Sequence, residues 1–143
     1  MRLEREKRSS IESASEADVR AAIMGLRSYG PSSFASLTDA EGNYLQVAGG
    51  GVTCMLERRD VVAGRHLRGY KNERSNVFPD GTTLVFGGGQ LRLLADEWFT
   101  AAEVLAVFLP FLRSEPPPLW IQWRDVTTTL ERGAAGEKGC RRD

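Results

Sequence analysis

The stretch YLQVAGGGVTCMLER, residues 44–58, decides how this chain folds. In its second half the side chains of Val52, Cys54 and Leu56 fall on one face by the two-residue period of a strand. Tyr44–Ala48 reads as an extended partner, and Gly49, Gly50 and Gly51 stand between the two halves. Glycine accepts turn conformations closed to other residues. A strand, a glycine turn and a returning strand make a β-hairpin. The same arrangement recurs in TTLVFGGGQLRLL, residues 82–94, with Gly87, Gly88 and Gly89 at the turn. A phosphate cradle would need a helix after the glycines, so that its N-terminal amides face the anion. Strand patterns follow both triplets, and both read as hairpin turns.

Outward from these hairpins, Phe34–Thr38 is a further strand, and Asp39-Ala-Glu-Gly42-Asn43 is a turn. His66–Tyr70 is a strand, Pro79-Asp80-Gly81 a strong turn, and Leu119–Arg124 a last strand behind the extended linker Ser114–Pro118. Ser15 and Asp18 form a capping box that opens a helix over 16–28. Thr100 and Glu103 form another, and the apolar run Val104–Leu112 predicts a second helix, apolar nearly all round and wedged into the core. Pro110 predicts a kink or restart there. Strands segregated from helices predict an α+β fold: a mainly antiparallel sheet of about six to seven strands with two helices packed on one face. The other face should be at least partly wet. Leu56, Leu93, Val104, Phe108, Phe111 and Trp123 should share one core. Residues 1–14 read as a flexible leader, 15–130 as a single domain and 131–143 as a disordered tail.

With 143 residues and a formal net charge of zero, the chain carries no whole-domain attraction to nucleic acid or anionic lipid. No apolar run approaches a membrane span, and the charged N-terminus has no signal-peptide core, so a cytoplasmic protein is expected. The two cysteines, Cys54 in a strand and Cys140 in a charged tail, predict a buried free thiol rather than a disulfide. One histidine and no Cys-x-x-Cys predict no metal site, and no cofactor motif is present.

No catalytic residue is expected. The sequence offers Glu57, Asp60, Asp96 and Glu97 as carboxylates to orient His66, but no recognisable nucleophile motif for it to serve, and it reads as an exposed strand residue. Asp96 and Glu97 precede the second helix, where acidic residues favour the positive helix end. The basic and aromatic residues carry more information. If Leu67 faces the core, then His66, Arg68 and Tyr70 share the wet face. By the same alternation Arg92, Trp120 and Arg124 oppose their apolar neighbours. Arg, Tyr and Trp on a sheet are residues enriched at protein interfaces, and these six are the candidate partner-binding set. The same face could stack on bases, which makes a nucleic-acid-binding accessory domain the alternative. Arg68-Gly69-Tyr70 echoes the start of an RNA-recognition signature, but Lys71-Asn72-Glu73 abandons it.

The segment Trp98-Phe99-Thr100-Ala-Ala-Glu103, with Phe108, Phe111, Pro117-Pro118 and Ile121-Gln122-Trp123, resembles the C-terminal signature of small bacterial immunity proteins associated with polymorphic toxins. The resemblance implies a capped helix, a linker and a Trp-bearing strand. It also implies a role: binding and neutralising a cognate toxin domain by direct protein–protein contact.

Overall fold

The computed structural model describes residues 1–128. Eight strands and two helices follow in the order β1 (Arg2–Arg5), α1 (Glu16–Met24), β2 (Phe34–Thr38), β3 (Tyr44–Gly50), β4 (Thr53–Asp60), β5 (Arg65–Tyr70), β6 (Thr82–Phe86), β7 (Gly89–Leu93), α2 (Ala101–Leu112) and β8 (Gln122–Asp125). Six strands form one sheet in the order β1-β2-β3-β4-β5-β8, and β6 and β7 form a separate two-stranded ribbon. Every pairing is antiparallel. The fold is α+β.

Local chemistry accounts for the elements. Ser15 Oγ accepts from the Asp18 amide at 3.1 Å while Asp18 accepts from the Ser15 amide at 2.9 Å, so both ends of the first capping box are made. Gly25 closes α1 by donating to the Ala21 carbonyl, ending the helix earlier than the expected 28. The box of Thr100 and Glu103 starts α2 in the same way. Pro110 sits inside α2 without ending it, and the helix runs on to Leu112. Both glycine triplets lie at hairpin turns, between β3 and β4 and between β6 and β7.

α1 and α2 pack on one face of the main sheet. Val19, Ile23, Val104 and Phe108 meet Leu3, Leu37, Leu45, Val47 and Leu56 there. The opposite face is not left to water. The β6–β7 ribbon folds back over part of it, and Leu84, Phe86, Leu93 and Trp98 pack on Ala48 and Met55. Phe78 stacks on Trp98 at 4.4 Å between ring centres. Leu93 therefore belongs to this second core and not to the one expected to hold it with Phe108. Trp123 and Phe111 flank the first core, half-buried.

The first residues are also different from expectation. Residues 1–14 were expected to be a loose leader, yet Arg2–Arg5 pairs with β2 and Leu3 is fully buried. Leu3 exchanges two backbone hydrogen bonds with Ile11, at 2.8 and 2.9 Å, which caps the outer edge of β1. Glu6 follows Leu3 inward and accepts from the backbone amide and hydroxyl of Ser33, both at 2.7 Å. One buried leucine and one satisfied buried carboxylate are enough to hold a charged segment in the sheet. The expected tail at 131–143 lies outside the described residues.

Candidate functional site

β3, β4, β5 and β8 each send alternate side chains to the face away from the helices. Registry lines up four of them in one row: Gln46 opposite Glu57, Glu57 opposite Arg68, and Arg68 opposite Arg124. Two arginines side by side would repel in an empty sheet. Carboxylates on either side answer them. Arg68 donates to Glu57 Oε2 at 2.9 Å through Nε and lies 3.7 Å from Glu97. Arg124 binds Asp96 at 3.2 Å and Glu97 at 2.5 Å, and its guanidinium lies over the Tyr70 ring at 4.2 Å. Glu97 is buried, and it reaches this place because the chain leaving β7 turns across the sheet. There it also accepts from the Leu94 amide.

Glu57 is the centre of the row. Gln46 donates to Oε1 at 3.0 Å, and His66 Nε2 lies 2.8 Å from the same oxygen. Burial pushes the Glu57 carboxyl up, but the hydrogen bond from His66 and the charge and hydrogen bond of Arg68 outweigh it. The net effect holds it down at about 2. An ionised Glu57 accepts only, so His66 carries its proton on Nε2 and donates. Nδ1 of His66 is buried without a hydrogen-bond partner among the described residues.

Of the six residues proposed from the sequence, His66, Arg68, Tyr70 and Arg124 come together. His66 was expected to be exposed but is 2% exposed: Glu57 meets its ring at 2.8 Å and Tyr44 lies edge-on at 6.2 Å. Arg92 lies on β7 opposite Thr83, on the outer side of the ribbon, away from the network. Trp120 lies in a turn before β8 rather than in the strand, its ring 6.5 Å from Phe99. Asp96 and Glu97, expected to serve the end of α2, serve the arginines instead. Gln46 was missed; of the four carboxylates the sequence offers to His66, Glu57 is the one that meets it. Only strand registry joins them.

His66 and Glu57 have the geometry of an oriented imidazole, but no hydroxyl or thiol completes a nucleophilic pair with it among the described residues. Cys54 points to the other face, where burial, with the nearby Glu103 charge, pushes its thiol up to about 12. No group of three or more metal-binding side chains exists among the described residues.

Beside the network the sheet face remains open. A groove of about 430 Å³ runs over β1–β4 against the β6–β7 ribbon. Phe34, Met55, Phe86 and Leu91 make its apolar side; Ser36, Thr38, Tyr44 and Gln46 make its polar side; Arg2 and Glu4 stand at its rim. Glu57 lines it too, so one carboxylate ties the network to the groove floor. No helix among the described residues is long and apolar enough to cross a membrane. No known protein-family model matches this chain, and no curated protein matches it.

Proposed function

We propose that this chain is a non-enzymatic cytoplasmic protein of the immunity type, which neutralises a toxin domain by holding it in direct contact. The groove over β1–β4 carries the reading. There an apolar wall faces a polar floor, the mixture found at protein contact surfaces. Two of its floor side chains, Gln46 and Glu57, are held in place by hydrogen bonds, so they need little ordering on binding. The resemblance of the C-terminal segment supports the same role.

The nucleic-acid alternative loses its main support. Arg68 and Arg124, which were to meet phosphates or bases, are engaged by Glu57, Asp96 and Glu97. Their charge is already answered within the fold.

The test is co-expression with a toxin domain encoded beside this chain. Cells should survive only when this protein is present, and the two purified proteins should form a stoichiometric complex with a dissociation constant on the order of nanomolar. Ser36 sits mid-groove between Glu4 and Gln46. Ser36→Trp should fill the space and abolish protection while the far-UV spectrum stays unchanged. Equal cell death with and without this protein would refute the reading.

A further inference from the structure

On the helix side of the main sheet, beside the C-terminal half of α2, lies a hollow of about 300 Å³. Val107 and Phe111, one turn apart on α2, and Trp123 of β8 make its apolar wall. Charges of both signs line the same space: Arg58 and Asp60 of β4, Asp39 from the β2–β3 turn, and Glu115. Arg58 opposes the core residue Leu45, and Asp60 shares its face of the strand, while Arg59 between them alternates to the other face. Among the described residues Arg58 pairs with none of these carboxylates; its guanidinium lies over the Trp123 ring at 5.0 Å.

Opposite charges in one hollow attract, and only fixed positions keep them apart. Each is held here. Arg58 is opposite Leu67 and Trp123 opposite Gly69, so Trp123 is level with Leu56, on the side of Arg58 away from Asp60. The guanidinium therefore leans away from Asp60 to reach the indole, and cation–π attraction keeps it there. Asp60 accepts from the Ala63 amide at 3.1 Å through Oδ1. Asp39 accepts from the amides of Glu41 and Asn43. Asn43 donates to Asp39 and accepts from the Val61 amide at 2.8 Å, which fastens the two turns together and sets both aspartates at one end of the hollow. Glu115 stands at the rim, its side chain 55% exposed.

We propose that this hollow binds a small zwitterion, a free α-amino acid with an apolar side chain. A guanidinium fixed on an indole presents its N–H donors to a carboxylate. Asp39 and Asp60, at the other end, take the ammonium group, and Val107 and Phe111 take the side chain. A plain anion would meet Arg58 but also face two aspartates, and a plain cation would leave Arg58 unanswered. A ligand carrying both charges answers both ends. The charged groups are in place before it arrives, so little ordering is required. The hollow lies on the opposite face of the sheet from the groove, and the proposal does not depend on the toxin reading.

Titration calorimetry of the full chain with L-phenylalanine tests this, beside three relatives that each lack part of its chemistry. 3-Phenylpropanoate has no ammonium, and phenethylamine has no carboxylate. N-acetyl-L-phenylalaninamide has neither charge and stands for the same side chain inside a polypeptide. L-Phenylalanine should bind saturably, and each relative at least about tenfold more weakly, since a charge-assisted contact is lost. Arg58→Met keeps an apolar stem on Trp123 and should bring L-phenylalanine down to the affinity of phenethylamine. Asp60→Asn keeps the bond to the Ala63 amide and should bring it down toward 3-phenylpropanoate. No saturable binding of L-phenylalanine up to about 10 mM, where even weak sites register, overturns the proposal. So does a relative that binds as well as the amino acid, or an Arg58→Met chain of unchanged affinity. The comparison of ligands needs the parent chain alone, so it decides the matter whether or not the variants fold.

Discussion

The carboxylate of Glu57 and the imidazole of His66 meet at 2.8 Å inside the sheet, with side chains only 5% and 2% exposed. Two strands carry them, and both are almost wholly shielded from water. The pair is the pivot on which both the arginine network and the groove floor rest.

Replacing Glu57 by Gln should cost about 3–5 kcal/mol, because Arg68 and His66 then lie buried beside an uncharged amide. The penalty should depend on pH with a definite sign. The folded-state pKa of Glu57 is depressed from 4.5 to about 2, so its stabilisation is complete above the unfolded value and is lost as pH falls through about 2. Urea midpoints for the parent and Glu57→Gln should differ widely at pH 7 and converge toward pH 2. A gap independent of pH would contradict the assigned charge.

Phe108 is fully buried between α2 and the sheet. Phe108→Ala should lose about 3–5 kcal/mol, read as a shift in denaturant midpoint at unchanged slope. A loss below about 1 kcal/mol would mean the helix is not packed as described.

The first glycine turn separates two kinds of requirement. Gly49 has φ +96°, and a Cβ there would lie 2.0 Å from the Thr53 carbonyl oxygen. Gly51 has φ +64° with nothing within 4 Å. Gly51→Ala should cost about 1 kcal/mol of backbone strain alone. Gly49→Ala should cost several times as much, since backbone must move as well. Thermal melts of the two variants decide it, and equal losses would place the collision elsewhere.

The Cys54 thiol, pushed up to about 12 by burial and by the Glu103 charge, should resist alkylation at pH 8 in the folded protein. Iodoacetamide labelling followed by peptide mass mapping should find Cys54 unmodified until denaturant is added. Rapid native labelling would show that the β4–α2 packing opens.

Much of the fold was legible because it is written in short-range chemistry. Ser15 with Asp18, Thr100 with Glu103, and the two glycine triplets each mark an element within a few residues. β1 was missed because its single apolar residue, Leu3, lies among charges and finds its partners at Leu37 and Ile11 only after folding. The covered second face had a signal that alternation alone obscures. Cys54-Met55-Leu56 is apolar without a break, as in strands buried on both sides. His66 was assigned to water from its neighbour Leu67, and nothing local reveals that Glu57 faces it. Registry between β4 and β5 puts them in reach, and registry is set by the whole sheet. Leu119 and Trp120 fit a strand pattern in sequence, but the turn before β8 leaves them outside.

β5 and β8 lie side by side, yet His66 of β5 and Thr127 just beyond β8, which share a hydrogen bond, are 61 residues apart along the chain. The strands from β2 to β5 are consecutive neighbours and can close by short turns. Between β5 and β8 the ribbon and α2 are laid down, so β8 closes a far longer loop than those turns, at a larger entropic cost. On that ground β8 is the last strand expected to join the sheet. Until then Glu97 has no Arg124, and the edge of β5 stands open on a growing chain. The strand that closes this end of the sheet is then the one most open to interception.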